Sequence, residues 1–292
     1  MRNTTFGSVT RGAALGAALL TLGAIPAAGP LGGAASGVAF APGVETAAAQ
    51  EAGAGEETTV VVRAVAHDAK VIGSGVGGVR ITIRNAGTGE VLARGLQEGG
   101  TGSTGRIMRK PHPRGGTVYG TEDAAAYEAV LSLDSPTRVE IVAEGPLGTP
   151  HAVQRASRTM LLVPGRDVTG EGVVLELYGF TVEMQRPSDD ATPVAGQPMP
   201  VRASVTMLCG CPIEPGGLWD ADRIDVTARL VRDGRVVRES EMSFAGETNI
   251  FEGTITPPAD GGYELVILAS DAERANFGQV RTEVSVQGGQ EE

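Results

Sequence analysis

Cysteine is almost missing from this chain of 292 residues: there are 2, Cys209 and Cys211, with one glycine between them. A structural zinc site needs four ligands and this stretch offers two thiolates, while His67, His112 and His151 all lie far upstream. Aromatics are also scarce, 4% of residues with a single tryptophan, Trp219, so any core has to be built from Val, Leu, Ile and Ala. Positive charge is in the minority. A formal net charge of −11 argues against nucleic acid as a partner, because phosphate binding needs clustered basic surface. No apolar run after the N-terminal segment approaches the length of a membrane span. No G-x-S-x-G elbow, H-E-x-x-H pair or compact Ser/His/Asp spacing occurs, and the Asp189-Asp190 pair sits in a proline-rich excursion as solvated carboxylates would. These absences point away from an enzyme.

What is abundant is turn chemistry. Gly 43 and Pro 17 are spread between alternating segments, as in an all-β protein, and the length suffices for two domains. Residues 1–49 read as a secretory signal: Arg2 and Arg11 are followed by the small, apolar run Ala13 to Ala28 and by Ala47-Ala48-Ala49 as an A-x-A cleavage site. The competing reading is an uncleaved N-terminal anchor, the one case in which a membrane would be a partner. The mature chain is then expected outside the cytoplasm (periplasmic, cell-surface or extracellular), where its cysteines meet oxidising conditions. A Gly/Ala/Glu leader over 50–57 is expected to be disordered, and 288–292 forms a short tail.

The first domain is expected over 58–178. Thr58 to Ala66 is a Val-rich strand, and Val79, Ile81 and Ile83 alternate with polar residues, the period of a half-buried strand. Glu90–Leu96 returns as its hairpin partner; Tyr127–Leu133, Arg138–Ala143, Val153–Val163 and Gly172–Leu177 complete an antiparallel sandwich. Gly73–Gly78 and Gly100–Gly105 both satisfy G-x-G-x-x-G, but strands or loops are expected to follow them, so both read as turns. Gly78-Val79-Arg80-Ile81-Thr82-Ile83 followed by Thr88-Gly89-Glu90-Val91-Leu92-Ala93 resembles the carboxypeptidase-regulatory-like or transthyretin-like sandwich, a resemblance that implies a non-catalytic module. Arg106, Arg109, Lys110, His112 and Arg114 form the one basic cluster, read as a solvated loop tip, with docking of an anionic surface as the functional alternative.

From 179 to 287 the pattern is similar to a bacterial immunoglobulin-like domain. Phe180–Gln185, Pro198–Leu208 and Ile224–Leu230 read as strands A to C, and Asp233-Gly234 is a two-residue hairpin turn into Arg235–Met242. Asn249–Thr256, Tyr263–Ser270 and Val280–Val286 follow, and Asp260-Gly261-Gly262-Tyr263 resembles a tyrosine corner. The fold class is therefore two antiparallel β-sandwiches in tandem. This resemblance implies that the B–C loop, Cys209–Asp222, and the F–G loop, Asp271–Gln279, share one end of the sandwich. Cys209, Cys211, Trp219, Asp220 and Asp222 should then approach Asp271, Glu273, Asn276 and Phe277, making that end the contact site.

The cysteine pair leaves three options. An extended strand holds residues i and i+2 roughly 6.5–7 Å apart, at the limit for a disulfide, which Gly210 could close by bending the chain. Two thiolates with the thioethers of Met207 or Met199 would suit copper, the alternative cofactor to none. The bland option is that both cysteines merely tie or fill a loop shaped by Pro212 and Pro215. Trp219 is weighed likewise, as a core plug against a ligand platform, and calcium between Asp220, Asp222 and Asp271 is a minor possibility. The expected function is an exported, non-catalytic binding or accessory protein for a protein or envelope component, with metal-handling or thiol-redox work at Cys209 and Cys211 as the alternative.

Overall fold

A computed structural model describes residues 55–188 and 190–289. The expected signal segment at 1–49, most of the 50–57 leader, Asp189 and the end of the tail lie outside the described residues. The described part is almost entirely strand. In the first sandwich β1 (Glu56–Ala66), β2 (Val79–Asn85), β3 (Val91–Gln97) and β4 (Tyr127–Leu133) precede β5 (Thr137–Gly145), β6 (Gln154–Leu162) and β7 (Val168–Leu177). Glu56 and Glu57, expected in a disordered leader, already pair with Leu133 and Ser132 of β4.

These strands form two sheets, in the orders β4-β1-β7 and β3-β2-β5-β6. All pairs are antiparallel except β1–β7, which is parallel. The alternation seen in the sequence is the inside–outside alternation of the sheets: Val79, Ile81 and Ile83 of β2 are each 0% exposed, and they meet Ala129, Leu131 and Leu133 of β4 in one core. The basic stretch departs from expectation. The glycine run Gly100–Gly105 leads into a one-turn helix α1 (Thr104–Met108), where Ser103 Oγ accepts from the Arg106 N–H. Ser103 caps the turn, and Ile107 buries against Val65, Val71 and Ala125. The helix joins β3 to β4 and belongs to no βαβ unit, so the dinucleotide reading fails on topology and not, as expected, on the lack of a helix.

Tyr178 and Gly179 are all that separates β7 from β8 (Phe180–Arg186), the first strand of the second sandwich. Next come β9 (Met199–Met207), β10 (Asp225–Arg232), β11 (Arg235–Phe244), β12 (Ile250–Ile255), β13 (Gly261–Asp271) and β14 (Asn276–Val286). Their order is β14-β13-β10-β11-β12-β9-β8. β11 pairs with β10 through Arg235–Met242 and with β12 only through Ser243 and Phe244, so it changes sheets and folds the series into two layers. Asp233 and Gly234 both have positive φ, 53° and 71°, as the type I′ turn expected there requires. The Tyr263 hydroxyl donates to the Ala259 carbonyl at 2.9 Å, tying the chain ahead of β13 to its own strand.

One buried apolar cluster runs through both sandwiches, from Val60 to Val286. The two belong to a single compact unit.

Candidate functional site

The B–C loop begins where β9 ends. The Met207 carbonyl accepts from the Gly210 N–H at 2.7 Å, and the Met207 N–H donates to the Cys211 carbonyl at 3.3 Å. Gly210 adopts φ +73°, a left-handed conformation that costs glycine little, and brings the two cysteine Cα atoms to 5.4 Å. That lies within the disulfide range, and the two sulfurs sit at bonding distance with both residues 4% exposed. A β-carbon on Gly210 would stand 2.8 Å from Val76 Cγ1, so the apex of this turn rests on the first sandwich.

The rest of the loop is held the same way. Trp219 is 8% exposed and its indole N–H donates to the Asp68 carbonyl at 2.9 Å, in the turn after β1. Asp68 has φ +50°, which aspartate tolerates better than most residues, and its carboxylate pairs with Arg274 Nε at 2.6 Å. Arg274 also pairs with the buried Asp271 at 3.1 Å. Burial opposes the Arg274 charge, but Asp271 and Asp68 outweigh it and raise the guanidinium pKa further. Asn276, 1% exposed, accepts from the Gly179 N–H at 2.8 Å and donates to the His67 carbonyl at 3.4 Å. His151 contributes a bond between its Nε2 and the Val182 carbonyl, and the His67 ring stacks on Tyr178 at 3.9 Å.

The B–C and F–G loops therefore meet, but facing the first sandwich rather than open solvent. Trp219, Asp220, Asp271 and Asn276 line a cavity of about 150 Å³ together with Asp68 and Arg274. Glu273 pairs with Arg223 of the B–C segment. Asp220 caps the turn Ala221–Arg223: its Oδ1 accepts from the Gly216 and Asp222 N–H groups, which hold its carboxyl below the usual aspartate range. Asp222 is exposed. Phe277 is 49% exposed and lies in β14, which starts four residues before the expected Val280. Cys209 and Cys211 are not in this cavity. Among the described residues no three His, Cys, Asp or Glu side chains gather as a metal cage would. Met207 is buried beside the cysteines in sequence, but Met199 begins β9 eight residues earlier, about 26 Å away at strand spacing. The four sulfur positions weighed for copper are thus not brought together.

On the other flank of the Trp219 loop lies a wider groove of about 650 Å³. One wall is Cys209–Pro212, Glu214 and Gly216–Trp219; the other is Lys70, Thr101, Thr104 and Arg109 from the first sandwich. Lys70 Nζ donates to Thr101 Oγ1 at 2.6 Å and to the Gly102 carbonyl at 3.3 Å, and burial lowers its pKa from the ordinary lysine value. Asp68, Lys70, Thr101 and Thr104 carried no signal in the sequence. They stand in turns and, for Thr104, at the first position of the one-turn helix α1, where no sequence period betrays what a residue faces.

No family model matches the chain, and no curated protein matches it. Solved structures do match, at low similarity. The Clostridium thermocellum CbhA fibronectin(III)-like modules are 12% identical over 80% of this chain and 94% of theirs, with a TM-score of 0.27. An ICAM-5 D1–D4 ectodomain fragment is 16% identical over 80% of this chain and 50% of its own, with a TM-score of 0.24. An engineered protein is 22% identical over 43% of this chain, which spans only 24% of that protein, with a TM-score of 0.27. At such scores these likenesses carry no weight, and the sandwich fold rests on the sheets described above.

Proposed function

We propose that this chain is an exported, non-catalytic binding or accessory protein, and that its contact site is the groove between the Cys209–Trp219 loop and the 101–109 segment. One observation carries the reading: the groove draws its two walls from different sandwiches, which the Trp219, Asp68, Arg274 and Asn276 contacts fix against each other. Loops held by a rigid scaffold around a concave surface are the usual setting for ligand recognition. The carboxylates and imidazoles near the seam serve structure: Asp220 caps a turn, Asp271 holds Arg274, and His151 meets a backbone carbonyl. A Cys209–Cys211 disulfide suits a chain that has left the cytoplasm.

In finer terms, the second sandwich is read as immunoglobulin-like. Its order β14-β13-β10-β11 and β12-β9-β8 corresponds to G-F-C-C′ and E-B-A, and the Tyr263 bond to Ala259 matches a tyrosine corner. The first sandwich is read as transthyretin-like from its sequence motif. The partner is a protein or another component of the cell envelope.

Hydroxyl-radical footprinting of the mature protein, with and without a soluble envelope extract of the source cells, tests this. Protection concentrated on 101–109 and 209–219 is expected. Protection confined to other surfaces, such as the exposed Val236 and Val237 of β11, would refute the groove as the contact site.

A further inference from the structure

The groove's charge is at odds with the chain that carries it. The protein has a formal net charge of −11, yet the ionisable groups lining the groove are two cations, Lys70 and Arg109, against one carboxylate, Glu214, on the facing wall. Lys70 is half-buried and spends one N–H on the Thr101 hydroxyl oxygen and a second on the Gly102 carbonyl, which leaves one for a ligand. A hydroxyl that accepts from an ammonium has its own O–H free to donate elsewhere, so Thr101 can pass that polarity outward. Arg109, at the end of α1, is exposed on the same wall. The opposite wall sets apolar side chains beside Glu214: Pro212, Leu218 at 46% exposure, and the buried cysteine pair. A volume of about 650 Å³ falls within the range of small-molecule sites.

Resting on the reading of the groove as the contact site, we propose that it binds a small amphipathic anion. A carboxylate, sulfonate or phosphate group sits between Lys70 and Arg109 and accepts from Thr101, while the apolar body lies along the cysteine pair and Leu218. An anion there would repay the desolvation that Lys70 already bears, and Glu214 opposite would disfavour a ligand of higher negative charge.

Two dyes of similar shape separate charge from apolar contact: 8-anilinonaphthalene-1-sulfonate, an anion, and N-phenyl-1-naphthylamine, its uncharged counterpart. Trp219, the only tryptophan and part of the groove wall, reports occupancy through its emission. The sulfonate is expected to bind at one site per chain. Arg109→Gln, an exposed substitution that leaves the fold alone, should weaken it about tenfold, the worth of one charge-assisted hydrogen bond. Lys70→Gln should do the same, Glu214→Gln should tighten binding, and none should move the affinity of the uncharged dye. Equal affinity for the sulfonate in wild type and Arg109→Gln, with the uncharged dye still bound, would overturn the anion while leaving the groove as a contact site. Failure of both dyes to perturb Trp219 would also overturn it, and the footprint would then decide the fate of the groove on its own.

Discussion

Replacing Trp219 should do to this protein what removing a core residue does, although it lies in a loop. The side chain is 8% exposed, belongs to the continuous apolar cluster and donates one hydrogen bond across the seam to Asp68. Trp219→Ala removes both terms, and truncation of a large buried aromatic costs about 3–5 kcal/mol. Trp219→Phe keeps most of the packing and loses the bond, leaving the Asp68 carbonyl short of a partner, at a cost of about 1–2 kcal/mol. Urea unfolding followed by far-UV circular dichroism measures both without relying on the lost fluorophore. Hydrogen exchange should show the extra opening first at 66–70 and 209–224. An Ala variant that loses under about 1 kcal/mol, or one that matches the Phe variant, would mean that Trp219 is not buried against the first sandwich and would remove the basis for a fixed groove.

Gln97 is fully buried and its amide makes three bonds, accepting from the Ala64 N–H and donating to the Ala64 and Ile72 carbonyls, so Gln97→Leu should destabilise by about 3 kcal/mol or more in the same urea assay. Gly210→Ala should cost about 1–2 kcal/mol, since alanine must take φ +73° and its β-carbon would press on Val76; unchanged stability would contradict the turn geometry. Asp220 has a folded pKa below its unfolded value near about 3.9, so its bonds to Gly216 and Asp222 hold the loop above that pH and are lost as pH falls through the folded value. Protection of the Gly216 and Asp222 amides, taken relative to the intrinsic exchange rate at each pH, should therefore fall on acidification. Asp220→Asn should flatten that dependence, and an identical profile in the variant would assign the effect elsewhere.

Strand positions were readable wherever one face is buried and the other wet. The clean alternation of Val201, Ala203, Val205 and Met207 reports a β-pleat whose inward side chains are all at most 2% exposed. Asp233-Gly234 and Tyr263 were readable because each demands a particular local geometry. The pairing of β1 with β7 was not, since 108 residues separate Val60 from Val168 and no local period encodes which edges join or in which direction. Asn276-Phe277-Gly278 lacks an apolar alternation and so reads as loop, yet these residues begin β14 and close against β8. The largest gap concerns the loop end of the second sandwich. The strand pattern leads to the two loops but not to Asp68 and Val76 of the first sandwich, which they face: docking depends on two turns that look solvated when read one at a time. The same gap hid the groove, one wall of which is Lys70, Thr101, Thr104 and Arg109 of the first sandwich.

Differential scanning calorimetry of the mature chain tests most directly whether the seam makes the two sandwiches one body. A single transition with calorimetric and van't Hoff enthalpies equal is the predicted result, because one apolar cluster and the Trp219, Arg274 and Asn276 contacts would have to be lost together. Two resolved transitions, the second unaffected by Trp219→Ala, would contradict it.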